Sequence, residues 1–222
     1  MTDRVRVEVP GPHVPRNRNR WGQGERLRGD ILDAACLLVS ELGSADALTI
    51  RGVARAVGIA PASIYQHFED KTALVRGTIE HNFARLSAAM LAADEATASE
   101  DAVEHLRAQV YAYCRFAIDN PGHYRLMLHS RYQGDPSVGP GTGKRRPMLG
   151  ILNQVVTAFK RCECAGVRLR VPSQRAAVLL FVAAHGRVGL YHAGGETDPT
   201  EITPFIDELI SVLLDPEAEP RS

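Results

Sequence analysis

The stretch Thr49–Leu74, TIRGVARAVGIAPASIYQHFEDKTAL, decides how this chain is read. Apolar residues at Ile50, Val53, Ala54 and Val57 keep a helical period, a break falls at Gly58-Ile59, and a second apolar set follows at Ile64, Tyr65 and Phe68. The punctuation agrees with two short helices, over about 50–57 and 61–67. Thr49 can cap the first because its hydroxyl accepts from a first-turn backbone N–H. Gly58 can close it in the left-handed conformation that a β-carbon disfavours. Pro61 suits the first turn of the second, where no N–H is missed. Asp70 is then an N-cap for a longer helix from Lys71 through Leu74, Ile79 and Phe83 to about Ala92.

Two helices joined by such a turn can lay the second in a DNA major groove while the first crosses the backbone. The run after the turn, YQHFEDKTAL at Tyr65–Leu74, resembles the YxHFxxKxxL signature of the TetR (tetracycline-repressor-like) family, and Leu48–Gly58 resembles that family's LTxRxVAxxxG pattern. The resemblance is tight over about residues 27–83. It implies an all-α fold, with an N-terminal three-helix DNA-binding domain of the helix-turn-helix kind and a larger C-terminal helical domain for ligand binding and dimerisation. It also implies a function: a ligand-responsive transcriptional regulator, usually a repressor, that binds a palindromic operator as a homodimer and is released by a small-molecule effector. By the same resemblance Arg51 and the early positions of the third helix read bases, and Thr49, Tyr65, His67 and Lys71 hold phosphates.

Side-chain chemistry independently suits those roles. Pro61, Ala62, Ser63, Gln66 and His67 are the outward positions of the third helix. Pro61 and Ala62 are small and apolar enough to approach thymine methyls, Gln66 carries the donor and acceptor that match adenine N6/N7, and Arg51 carries the fork that matches guanine O6/N7. Ser63 joins the phosphate-binding set, and Lys71 stands at a helix N-terminus whose amides also favour an anion. For Tyr65 the alternative is core packing. Ala60 departs from the family pattern, which commonly has a capping Ser or Thr there; lacking that cap costs roughly 1 kcal/mol.

The formal net charge is zero, so composition alone gives no nucleic-acid signature. Residues 1–85 carry twelve Lys and Arg against ten Asp and Glu. No apolar run approaches the ~18 residues of a membrane span, and the N-terminus has no apolar signal-like core, so a cytoplasmic location is expected with no membrane partner. Residues 1–23 read as a flexible basic arm in which Arg16, Arg18 and Arg20 could follow phosphates or a minor groove, or could simply be solvated.

The expected domain order is 24–70 for the DNA-binding domain, 71–92 for a linking helix, 93–214 for the effector-binding and dimerisation domain and 215–222 for a tail. The first helix, Gly24 to Leu42, is expected to bury Ile31, Ala35, Leu38 and Leu42. Later helices are expected from Ser99 or Asp101 to about Asn120, over His123–His129, from Pro147 to about Ala165 through Leu149, Leu152, Val156 and Phe159, from Ser173 to Ala193, and from Pro199 to Leu214. That makes about nine helices and no convincing strand. The Gly- and Pro-rich segment from Ser130 to Pro147, with Lys144, Arg145 and Arg146, is the longest internal loop.

Effector-pocket candidates mix apolar bodies with polar tips on these central helices: Tyr111, Tyr113, Phe116, Tyr124, Met127, Leu152, Phe159, Phe181 and His185. The default for each is core. Gly186 and Gly189 could allow close helix approach, which makes Gly186, Gly189, Leu190, Ile202, Phe205, Ile206, Leu209 and Leu213 the expected dimer interface. Cys162 and Cys164 have the wrong spacing for a structural zinc site, so no metal and no cofactor are expected. An enzyme using His129, His185 or a cysteine, and a helical adaptor that binds protein through its helix-turn-helix, remain as alternatives. Neither accounts for the position of the YQHFEDK run.

Overall fold

The computed structural model describes residues 23–122, 124, 147–194 and 199–215. It shows an all-α fold. The helices are α1 (Gln23–Leu42), α2 (Ile50–Val57), α3 (Pro61–Ile64), α4 (Lys71–Glu95), α5 (Ala102–Asp119), α6 (Pro147–Cys164), α7 (Ser173–His192) and α8 (Ile202–Leu213), with single 3-10 turns at Ala45–Ala47 and Pro199–Glu201. Among the described residues there is no strand, although Leu169 and Leu214 form an isolated antiparallel bridge. The basic arm, most of the expected 123–129 helix, the Gly- and Pro-rich loop, Met127 and residues 216–222 lie outside the described residues.

Local chemistry sets the boundaries in the N-terminal half. Thr49 Oγ1 accepts from Gly52 N–H at 3.0 Å, Gly58 takes φ 77° at the C-cap of α2, and Asp70 Oδ1 accepts from Ala73 N–H at 2.7 Å to open α4. Ala60 makes no side-chain cap bond. The second helix of the motif is shorter than the expected 61–67. Past Ile64 the chain tightens into a turn, with His67 N–H on Ile64 O at 2.9 Å, and Phe68 N–H reaches the same carbonyl at 2.9 Å. This tightening carries Phe68 into the core at 4% exposure.

Two helical stripes differ in phase from the sequence expectation. In α1 the buried set is Ile31, Leu32, Ala35, Cys36 and Val39, while Leu42 is half exposed at the helix end. In α6 it is Ile151, Val155, Ala158, Phe159 and Cys162, while Leu149 faces out and Leu152 and Val156 are partly buried. Both helices carry two apolar stripes about one residue apart, and the tertiary neighbours select one of them.

The 25-residue α4 connects the two ends of the molecule. It packs on α1 near its start and on α5 and α6 further along, so its buried residues run continuously from Leu74 and Val75 through Ile79, Phe83 and Leu86 to Met90. Gly77 provides the notch in which α3's following turn is seated: a β-carbon there would stand 2.9 Å from Phe68 Cε1 and 3.4 Å from Leu32 Cδ2. Gly77→Ala is therefore expected to lower stability. An overpacking cost of about 1–3 kcal/mol exceeds the helix-propensity gain of about 1 kcal/mol. Gly29→Ala on α1, with nothing within 4 Å of the new methyl, is expected to raise stability instead. Denaturant titrations of the two variants check the opposite signs.

Candidate nucleic-acid interface and the cavity behind it

The α2–turn–α3 unit is anchored from behind and open in front. Val53, Ala54, Ile64 and Phe68 are buried. Arg51, Pro61, Ala62, Tyr65 and Gln66 are exposed, with Ser63, His67 and Lys71 half-buried at the margins. Tyr65 is 56% exposed, which removes the core-packing alternative for it. Thr49 is exposed, and because its oxygen accepts from Gly52 N–H, its own O–H remains available as a donor. Lys71 Nζ donates to Asp46 O at 2.6 Å, which holds the ammonium near the start of α4. Two features moderate the anion site expected at that terminus. The Ala73 amide is already taken by Asp70, and the Asp70 carboxylate opposes a second negative charge.

Sequence reasoning missed Arg28. Its guanidinium stands 5.2 Å from the centroid of the Phe68 ring, which places an α1 cation beside the end of the motif. Gly24, one turn earlier, lies near His67, with its would-be β-carbon 4.0 Å from His67 Cε1. No periodicity in α1 signals this; it follows from how α1 crosses the turn after α3.

Behind this head, α4, α5, α6 and α7 enclose an apolar cavity of about 10 Å³ lined by Met90, Val110, Tyr113, Val155, Leu180, Phe181 and Ala184. That is room for roughly one water centre. Of the expected effector residues, Tyr113 and Phe181 line it. Phe159 is fully buried in the core, Phe116 and Leu152 are partly buried beside it, and Tyr111 bonds through its hydroxyl to Asp207 on α8. Met90, Val110, Val155, Leu180 and Ala184 were not singled out because purely aliphatic residues at helical spacing carry no mark distinguishing cavity wall from core.

A polar group borders the cavity. Tyr113 O–H lies 2.6 Å from His185 Nδ1, Tyr124 O–H donates to His185 O at 2.8 Å, and the Phe181 and His185 rings stack at 5.7 Å. Burial raises the Tyr113 phenol well above its ordinary range and lowers the His185 imidazole, which favours a neutral phenol beside a neutral ring.

The expected dimer residues divide. Ile202, Ile206 and Leu213 are 3%, 0% and 5% exposed within this chain's own core, because α8 turns its apolar stripe inward onto α5 and α7. Gly189 serves an internal contact, since a β-carbon there would stand 2.6 Å from Tyr124 Oη. Leu190 and Gly186 are exposed, and they continue a stripe on α7 with Val178, Leu179 and Val182 that sequence reasoning did not name. Phe205 and Leu209 are partly buried, and Val212 is exposed beside them on α8. Arg187 lies between the two helices, 5.6 Å over the Phe205 ring.

The cysteines are all free, with Cys164 exposed. Burial pushes the Cys36 and Cys114 thiols up to about 12, which makes them poor nucleophiles. Among the described residues no group of three or more His, Cys, Asp or Glu could hold a metal ion, and no helix is long and apolar enough to cross a membrane.

Two family models match the chain. The model described as bacterial regulatory proteins, tetR family, matches residues 31–78, and the one described as tetracyclin repressor-like, C-terminal domain, matches residues 106–213. This chain belongs to the TetR family of transcriptional regulators. Its fold is shared by a protein of unknown function from Rhodococcus sp. RHA1, at 24% identity and TM-score 0.68 over 89% of this chain and 100% of that one. A TetR family transcription regulator from Marinobacter aquaeolei VT8 shares it at 19% identity and TM-score 0.64, over 86% and 97%. So does tylp, a TetR regulator from Streptomyces fradiae, at 20% identity and TM-score 0.65, over 87% and 89%.

At the far end of α4 a charged cluster joins three helices. Asp94 accepts from Arg161 of α6 at 2.7 and 2.8 Å, and His105 of α5 places Nδ1 2.7 Å from Asp94 Oδ1 and Nε2 2.8 Å from Ser99 O. Both ring nitrogens face acceptors, so the imidazolium fits this site. The Ser99 carbonyl first, then Asp94, raises the His105 pKa, and hydrogen bonding from Arg161 lowers that of Asp94. The stabilisation from His105 is fully present below its ordinary 6.5 and is lost as pH rises through the raised folded-state value. That from Asp94 is present above 3.8 and is lost as pH falls through its lowered value. An NMR titration of ring protons is expected to place His105 above 6.5 and His185 below it.

Proposed function

We propose that this chain acts as a homodimeric, ligand-responsive repressor that reads a palindromic operator through α2 and α3 and is released when a small molecule opens the cavity among α4, α5, α6 and α7. The observation that carries the DNA-reading part is the exposure of the motif over a buried anchor: Arg51, Pro61, Ala62, Gln66, Thr49 and Tyr65 are exposed and Ser63, His67 and Lys71 half-buried, while Val53, Ala54, Ile64 and Phe68 are buried. In this reading Arg51, Pro61, Ala62 and Gln66 contact bases, and Thr49, Ser63, Tyr65, His67 and Lys71 contact phosphates. Residues 24–70 form the reading head, 71–92 belong to the linking helix and 93–214 form the effector and dimer domain. The protein works in the cytoplasm on double-stranded DNA.

For the effector, Tyr113 and Phe181 are the direct cavity contacts, with Phe116, Leu152 and His185 around them. The dimer forms on α7 and α8 through Val178, Leu179, Val182, Gly186 and Leu190, with Phe205, Leu209 and Val212 beside them. A stripe of exposed Val and Leu along one helix favours that role, because burying it against a second copy recovers apolar area otherwise left in water.

Selection of bound sequences from a random DNA pool at two salt concentrations tests this. The expected result is an inverted repeat whose recovery falls steeply at the higher salt, because phosphate contacts release counterions. Failure to enrich any sequence with or without small-molecule extracts overturns the proposal. On the selected site, Arg51→Ala is expected to cost about 1–3 kcal/mol and to relax one position, whereas Lys71→Ala weakens all sites alike.

A further inference from the structure

The turn after α5 touches the DNA-reading head directly, without passing through α4. Gly122 donates its N–H to Ser40 Oγ at 3.1 Å, and Ser40 lies in the last turn of α1. The approach is backbone to backbone: a β-carbon on Gly122 would stand 2.1 Å from Ser40 Cα. Two residues on, with its N–H on Asn120 O at 3.1 Å, Tyr124 is buried at 3% exposure. Its hydroxyl reaches the His185 carbonyl over the bare face of Gly189, and its ring lies 4.7 Å from that of His185. His185 in turn bonds Tyr113, which forms part of the cavity wall.

We propose that the Gly122–Ser40 contact is a joint through which the Tyr113–His185–Tyr124 group sets the position of α1, and with it the reading head. This rests on the reading of the chain as a DNA-binding, effector-responsive regulator. The physical reason is the lack of slack. Gly122 has no side chain to give way, so a displacement of Tyr124 either reorients the Ser40 hydroxyl that accepts the Gly122 N–H, carries α1 with it, or parts the contact. From α1 the displacement reaches the motif through the Arg28–Phe68 stack and through Ile31, Leu32 and Ala35, which share its core. Ser40, Gly122 and Tyr124 are positioning residues here and touch neither DNA nor effector.

A double-mutant cycle on the full-length protein tests the joint, with affinity for the selected DNA site as the first readout. Tyr124→Phe and Ser40→Ala each delete one hydroxyl. Tyr124→Phe is expected to change the Kd by about threefold or more when Ser40 is present and to lose that effect in the Ser40→Ala background. Additive effects, or no effect of Tyr124→Phe, overturn the joint and leave all coupling in α4. Absence of site-selective binding by the wild-type protein is the separate failure of the DNA-reading proposal. Amide hydrogen exchange needs no DNA: Tyr124→Phe is expected to speed exchange at Gly122 and in the last turn of α1, and a change confined to α7 overturns the joint.

Discussion

The seating of Phe68 at Gly77 is the contact on which the rest of the molecule depends. It closes the helix-turn-helix against α4, leaves the Phe68 ring within reach of Arg28 of α1, and fixes where the tightened turn after α3 must end. Because Gly77 lies within the same unbroken helix as Met90, the notch that positions the reading head and the wall of the cavity are parts of one rigid rod. Bending that rod would break backbone hydrogen bonds in the middle of a 25-residue helix, so tilting it as a whole is the lower-energy response to pressure from either end. The buried stripe on α4 is shared with α1 at one end and with α5 and α6 at the other, so neither end can shift without repacking a core.

What the sequence made legible was local. Thr49, Gly58, Pro61 and Asp70 each solve an end-of-helix problem within a few residues of themselves, and each does in the structure what its chemistry requires. The surface position of Arg51 and Ala62 followed from the same periodicity that buried Val53 and Ile64, while Gln66 is exposed in the turn beyond α3. Legibility stopped where a choice depended on distant chain. α1 and α6 each carry two possible apolar stripes, and only their neighbours decide which is buried. Gly189 looked like a helix-contact residue, and it is one, but the group it admits is Tyr124 of the same chain, dozens of residues earlier. The inward turn of Ile202, Ile206 and Leu213 could not be told from an interface by spacing, because a core stripe and a dimer stripe have the same period.

A chain with zero net charge can still hold DNA if its charges are arranged, and the head shows how close the balance is. Arg28, Arg51, Arg55 and Lys71 lie within one small module, yet Asp46 and Asp70 sit beside Lys71. Asp70 is needed to start α4, and its carboxylate stands where a phosphate would otherwise gain from the same amides. The stability of the linking helix and the attraction for the backbone therefore compete at one helix terminus, which favours a regulator whose affinity comes from fitted contacts over one held by charge alone.

The cavity places a condition on how such a regulator could respond. About 10 Å³ is far below the several hundred cubic ångströms that a small-molecule site usually occupies. Any effector seated there must first part aliphatic contacts among Met90, Val110, Val155 and Leu180, so part of its binding free energy is used in opening the core. A ligand that needs the parted arrangement binds it better than the closed one, and only such a difference in affinity would shift the population between them. In a nearly closed, apolar cavity backed by a neutral Tyr–His pair, occupancy would be tied to movement of the walls, and one of those walls, α4, also carries the Gly77 notch of the reading head.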